Sequence, residues 1–268
     1  MLINIFNTIT YQLRNKIAFS RPIKNIINED KKNIFSSEDV IQEEKRILNN
    51  YNLDFFHENS SIIHYKENLY TLKLLEETFN SINLNAFTDK KNLKILDIGS
   101  KNFSYAPAIH HFFNNKPINE SLKNNIELTG IEIDPYRILS DLHSRYDYAM
   151  YYTQKLSKTN YITGDVLSLT EAKYDIITWF LPFIVKDPLI KWGLPLKYFK
   201  PKTMLNHAYK ILNHRGIILL VNQGEAEKKA QVELIKELNL NYTSIEEAYT
   251  NCFSPYKLKR YITVITKG

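Results

Sequence analysis

The 268-residue sequence predicts an α/β fold, a mostly parallel sheet preceded by a helical extension, and three observations carry that prediction. Leu93, Ile95, Leu96 and Ile98 form a short apolar run, interrupted by Asp97 and closed by Gly99, the pattern of a strand buried on both faces that ends in a backbone turn. Strand-then-helix units of this kind recur in order along the chain, with acids at the tips of the first three strands. Of the seven glycines, all but Gly268 lie between Gly99 and Gly224, mostly at strand ends or turns. The chain therefore divides into an N-terminal helical extension, residues 1–90, and a sheet-forming domain, residues 91–268.

The first twenty residues read as an amphipathic packing helix or a partner contact. From Ser36, apolar residues Val40, Ile41, Ile47, Leu48 and Tyr51 return at helical spacing, with Ser36 and Asp39 in capping-box positions. Leu69, Leu72, Leu75, Phe79 and Ile82 define a second helix from about His64 to Ile82. These helices are expected to cap the sheet or roof a site, which would bring His57, His64 and Tyr65 toward a substrate. After the strand ending at Ile98, Ser104 is the candidate N-cap of a helix that holds Pro107 in its first turn. A polar loop, Asn114 to Asn125, contains Pro117. The second strand, Ile126 to Ile133, ends in Glu132 and Asp134 before Pro135, which is expected to open a helix.

A third strand runs from Tyr161 into Gly164-Asp165-Val166, and a fourth, Tyr174 to Trp179, runs into Phe180-Leu181-Pro182-Phe183. Ile184 to Lys202 is too rich in turn residues and aromatics for a plain helix and reads as a lid or pocket wall. A helix over Met204 to Leu212, a turn at Arg215-Gly216 and a fifth strand, Ile217 to Asn222, follow. A helix over Glu225 to Leu238 precedes two β-rich segments, Tyr242 to Tyr249 and Arg260 to Thr266, joined through Ser254-Pro255-Tyr256.

Composition narrows the function classes. Hydrophobic content of 44% and charged content of 24% are ordinary for a globular protein, and no apolar run approaches the ~20 residues that span a bilayer. The N-terminus has no early basic cluster and no small-residue cleavage site, so a cytoplasmic protein is expected. Cys252 is the only cysteine, which excludes an intramolecular disulfide and a multi-cysteine zinc site. The net charge of +6 permits attraction to nucleic acid, yet no Lys/Arg tract gathers it into a dedicated arm.

Asp97-Ile98-Gly99-Ser100-Lys101-Asn102-Phe103 resembles the first motif of the class I S-adenosylmethionine (SAM)-dependent methyltransferases, an apolar strand followed by acid-x-Gly-x-Gly-x-Gly. Only the first of the three glycines is present, and Lys101 and Phe103 stand at the other two positions. The resemblance covers roughly residues 90–268 and implies a Rossmann-like seven-stranded, mostly parallel sheet with a terminal antiparallel pair. It implies SAM as cofactor, held by Asp97, Gly99, Ser100 and Lys101. Glu132 matches the acid that binds the ribose, with Asp134 as the fallback, and a carboxylate there can accept from both vicinal hydroxyls. Asp165 and Val166 match the residues against adenine.

The resemblance implies that the fourth strand's end lies nearest the transferred methyl group, and the (Asn/Asp/Ser)-Pro-Pro-aromatic element of adenine- and glutamine-directed members is missing there. Amino-methylation of a base or an amide is therefore not expected. Trp179, Phe180, Phe183 and Trp192 are the expected apolar walls of an acceptor site, with Asn222, Gln223 and Glu225 as its polar groups. His207, His110 or Glu225 can serve as a base if the acceptor must lose a proton. A small-molecule acceptor is expected, with a protein acceptor the other possibility. An RNA methyltransferase, a non-catalytic SAM-binding protein and an NAD-dependent oxidoreductase are the alternatives left open.

Overall fold

A computed structural model describes residues 2–25, 27–82, 87, 90–115, 125–171, 173–248, 252–254, 256 and 258–268. The polar loop around Pro117, and Tyr249 and Pro255 of the last connection, lie outside them. Seven strands, β1 (Leu93–Ile98), β2 (Ile126–Glu132), β3 (Thr159–Thr163), β4 (Tyr174–Phe180), β5 (Leu212–Gln223), β6 (Tyr242–Ala248) and β7 (Arg260–Thr266), form one sheet in the order β3-β2-β1-β4-β5-β7-β6. The pairs β1–β2, β1–β4, β2–β3 and β4–β5 are parallel, while β7 runs antiparallel to both β5 and β6. The order reverses between β1 and β4, so a crevice opens beyond the carboxyl ends of these strands.

Strand alternation sorts the core into two layers. Ile95, Ile176, Ile217, Leu219 and Val221 face one side, where they join residues of α2 (Glu38–Tyr51), α3 (Asp54–Glu58), α4 (Ile62–Asn80) and α5 (Ala106–Asn115). Leu96, Ile98, Ile177, Ile218 and Leu220 face the other side, under α8 (Pro201–Ile211) and α9 (Gly224–Glu237). Buried residues of the N-terminal helices thus share a core with the sheet. A small satellite cluster, Tyr11, Leu189 and Leu194, joins α1 (Leu2–Ile17) to α7 (Lys186–Lys191) and the segment after it.

Several local expectations change. The cap of α2 is Ser37 and makes no side-chain hydrogen bond, whereas Ser61 caps α4 by accepting the His64 N–H at 3.3 Å. Ser104 does not cap α5, because its hydroxyl donates to Glu67 on α4. A fully buried Asn68 takes its place from across the layer: its Oδ1 accepts the Ala108 N–H at 2.9 Å, satisfying one of the orphan donors of the helix start. Pro135 opens no helix. The chain turns instead, and α6 (Arg145–Thr153) begins ten residues later at a capping box in which Ser144 and Asp147 satisfy each other's backbone N–H.

The turn after β1 keeps a left-handed backbone without its glycines. Gly99, Lys101 and Phe103 have φ of +71°, +54° and +49°, so Lys101 and Phe103 hold conformations that side chains disfavour. Phe103 is fully buried, and its ring lies where a Cβ on Gly130 of β2 would stand, 2.7 Å away. Asp97 anchors the same turn from below. Its Oδ2 accepts the Tyr105 hydroxyl at 2.8 Å and its Oδ1 the Thr178 hydroxyl at 2.7 Å, tying β1 to β4 and to the start of α5.

Gly130→Ala should cost ~1–3 kcal/mol in chemical denaturation, because a methyl group cannot enter without displacing the Phe103 ring. Burial raises the Asp97 carboxyl from its ordinary 3.8 to about 7, against the opposing pull of its hydroxyl donors. The folded state therefore holds this proton more tightly than the unfolded chain, and the resulting stabilisation is complete below about pH 4 and lost as pH rises to about 7. Asp97→Asn should flatten that fall, a difference on the order of a few kcal/mol, readable in unfolding curves across this range.

Candidate functional site

Beyond the carboxyl ends of β1, β2 and β4 lies a cavity of about 350 Å³, within the ~300–1,000 Å³ common for small-ligand sites. Its edge at β2 is set by Glu132, which is only 4% exposed. Glu132 Oε2 accepts the Lys101 N–H and Oε1 accepts the Asp134 N–H, both at 2.8 Å. The guanidinium of Arg145 stands 3.7 Å from Oε1. The carboxylate is thus fixed by backbone donors from two loops, and each oxygen keeps acceptor capacity for a ligand.

Asp134 does not enter this cavity wall. Arg14 of α1 grips its carboxylate through Nε and Nη2, both at 3.1 Å, and Arg137 donates to it at 2.8 Å. Through these contacts it anchors α1 to the turn after β2. The Tyr11 hydroxyl reinforces that attachment by donating to the Ile133 carbonyl at 3.0 Å.

Asp165 and Val166 lie at the β3 end of the cavity. Asp165 Oδ1 accepts the Leu167 N–H at 3.0 Å, capping a 3₁₀ turn that presents Val166 to the interior. Trp179 and Phe180 at the end of β4, with Phe183 just beyond it, form another wall. The Phe180 ring meets Tyr105 edge-on at 5.4 Å, while Trp179 is nearly buried in the second core layer. Gln223 closes the β5 side and receives Arg260 on its Oε1 at 2.6 Å.

Trp192 also lines the cavity, but on the β2 side. Its ring lies 4.7 Å from the Arg145 guanidinium carbon and 5.9 Å from Lys101 Nζ, and its carbonyl accepts from Arg137. Gly193 makes that crossing feasible, since a Cβ there would stand 2.9 Å from an Arg137 nitrogen. Trp192 therefore borders the Glu132 end of the crevice as well as Phe183, 6.5 Å away.

The structure brings Gly99, Lys101, Glu132, Asp165, Val166, Trp179, Phe180, Phe183, Trp192 and Gln223 to one cavity. Four expected residues stand elsewhere. Asp97 and Ser100 are buried behind the wall, where Ser100 Oγ donates to the Asp97 carbonyl at 2.8 Å. Asn222 falls on the strand face of Ile218 and Leu220, so its amide is fully buried toward α9. Glu225 is exposed, 3.5 Å from the Tyr261 hydroxyl. Glu227 lines the cavity in its place: its Oε2 accepts the Gln223 N–H at 3.0 Å, and burial raises its carboxyl. It lies four residues beyond Gln223, a spacing that returns a helix side chain to the strand tip, which is the signal by which it can be found.

The expected histidines do not reach the cavity. His64 hydrogen-bonds Tyr152 at 2.7 Å and Asn102 at 3.2 Å, with burial lowering its pKa, and Tyr65 donates to Glu44 at 2.6 Å. His57 packs edge-on against Tyr65, and His110 Nε2 sits 3.1 Å from the Ser157 carbonyl. His207 lies on α8 and does not line the cavity. Tyr198 and Lys200, inside the segment expected to form a lid or pocket wall, do, and so does Met204 just beyond it.

No protein-family model matches the sequence, and no curated protein matches it. Solved structures to which the chain is similar include the YcgJ protein from Bacillus subtilis, at 12% identity over 74% of this chain and 97% of that one, with a TM-score of 0.46. A TehB-like SAM-dependent methyltransferase from Corynebacterium glutamicum is 15% identical over 85% of this chain and 100% of its own, with a TM-score of 0.44. P. horikoshii TYW2, solved in complex with MeSAdo, is 11% identical over 68% of this chain and 60% of its own, with a TM-score of 0.41. The parallel order β3-β2-β1-β4-β5, the reversal between β1 and β4 and the antiparallel β7 beside β5 are features of this chain's own sheet. With them, the chain has a Rossmann-like sheet that carries an antiparallel strand, β7, between β5 and β6.

Proposed function

We propose that this protein is a SAM-dependent methyltransferase with a small-molecule acceptor. The observation that carries the reading is Glu132, a carboxylate held at the tip of β2 by two backbone N–H groups and facing the cavity. The site fits a nucleoside ligand. Glu132 retains lone pairs for ribose hydroxyls, Asp165 and Val166 offer an acceptor and an apolar face at the neighbouring strand tip, and a Cβ at Gly99 would meet no atom within 4 Å, which leaves open space above the turn.

When bound, SAM supplies a methyl group on a positively charged sulfonium. The chain's own contribution is positioning: Glu132 and Asp165 fix the nucleoside, and the walls of Trp179, Phe180 and Phe183 hold an acceptor in line and exclude water. The same aromatic faces favour a cation beside them. Where an acceptor must lose a proton, Glu227 is placed to take it, with its carboxyl raised by burial and its Oε2 held by the Gln223 N–H. The largely apolar wall supports a small molecule over RNA, whose backbone needs a continuous positive surface.

In calorimetry SAM and its demethylated product should bind and NAD should not. Glu132→Ala should weaken SAM binding by roughly tenfold to a hundredfold, the cost of ~1.5–3 kcal/mol for lost charge-assisted hydrogen bonds. It should also lower the melting temperature, because two loops lose their common acceptor. A variant folded at the assay temperature with wild-type SAM affinity would remove Glu132 from the site. Trp192→Ala should weaken SAM binding and slow acceptor turnover together, since the ring spans both ends of the crevice, with a stability loss of only ~0.5–2 kcal/mol. A loss of ~3–5 kcal/mol with unchanged affinity would make it a core plug instead.

A further inference from the structure

The first helix is inverted relative to an ordinary surface helix. α1 turns its polar side inward: Asn4 Oδ1 accepts the Leu196 N–H at 2.8 Å, Asn7 donates to the Ile190 and Leu194 carbonyls at 3.0 and 3.3 Å, and Arg14 grips Asp134. Outward it presents Leu2, Ile5, Phe6, Ile9, Leu13 and Ile17, which recur at helical spacing and are exposed by 47% at the least and 81% at the most. At 3.6 residues per turn these six fall within roughly a third of the circumference. A helix bathed only in water carries the opposite arrangement.

Charge identifies what this stripe meets. Residues 2–28 contain Arg14, Lys16, Arg21 and Lys24 and not one Asp or Glu. Arg14 is committed to Asp134, whereas Lys16, Arg21 and Lys24 are exposed at the end of the helix and just beyond it, beside Phe19, which is also exposed. An apolar stripe whose own segment, residues 2–28, carries cations and no acid is complementary to a surface that is apolar within and anionic at its edge. A second copy of the stripe would offer apolar contact but no opposite charge.

We propose that α1 lies in the interfacial plane of an anionic lipid bilayer, with the stripe in the acyl boundary and Lys16, Arg21 and Lys24 against the headgroups. Such binding is peripheral, and no helix among the described residues is long and apolar enough to cross a membrane. The inference does not rest on the methyltransferase reading and is tested without cofactor or acceptor.

The test is cosedimentation of the full chain with phosphatidylcholine vesicles, with and without phosphatidylglycerol. The expected result is pelleting with the anionic vesicles, weakened by added salt. Phe6→Ser/Leu13→Ser should abolish it, and Lys16→Ser/Arg21→Ser/Lys24→Ser should lower the partition coefficient roughly a hundredfold. Both variants should melt with the parent protein, because the altered side chains face away from it. Failure to pellet at low salt would overturn the proposal, as would equal binding to both vesicle types. A dimer in light scattering that Phe6→Ser/Leu13→Ser dissociates, without vesicle binding, would assign the stripe to a second copy and equally overturn it.

Discussion

The geometry of the cleft depends on one buried carboxylate shared between two loops. Glu132 takes an N–H from the turn after β1 and another from its own turn after β2, so neighbouring strand tips are fixed by one group. Hydrogen bonds to a charged acceptor are stronger than neutral ones, and burial leaves little water to compete. Because the turn after β1 lacks the glycines that would make its left-handed backbone easy, that acceptor also has conformational strain to offset. The Lys101 carbonyl is held on its other side by the Tyr161 hydroxyl at 2.6 Å, so this residue is clamped through both backbone polar groups.

Around that centre, opposite charges are interleaved. Glu132 and Asp134 face Arg14, Arg137 and Arg145, and the ring of Trp192 covers the guanidinium of Arg145. Burial lowers the Arg145 pKa, and the two nearby carboxylates oppose that change. Removing one partner would leave its buried counterpart with less compensation, which costs more than the net energy of the pair implies. Arg14 extends the cluster to a helix 120 residues earlier in the chain, joining the N-terminal segment to the sheet's functional edge.

Much of the fold is written in the sequence because strands buried on both faces leave contiguous apolar runs. β1, β2 and β4 are visible in this way, and with them the tip positions Gly99, Glu132 and Asp165. Local patterns fail where a distant side chain intervenes. Ser104 has the chemistry of a cap, yet Glu67 takes its hydroxyl and Asn68 supplies the cap. Pro135 has the position of a helix start, but Asp134 before it is drawn into the arginine cluster and the chain turns. Asn222 and Gln223 look equivalent until strand alternation is applied, which sends one under α9 and the other to the cavity. Trp192 is separated from β4 by only a short segment, and its place at the β2 edge is decided by Arg137 and Arg145.

The exchange of volume between Phe103 and Gly130 has a consequence for how such sequences drift. The loop position that would ordinarily carry no side chain holds a ring, and the strand position facing it carries none. Close packing makes these two sites a single allowance of space, so either can grow only as the other shrinks. Across related chains the glycine should migrate between loop and strand while the packed volume stays constant. A fingerprint that demands glycine in the loop alone would pass over chains that keep the same backbone by this compensation.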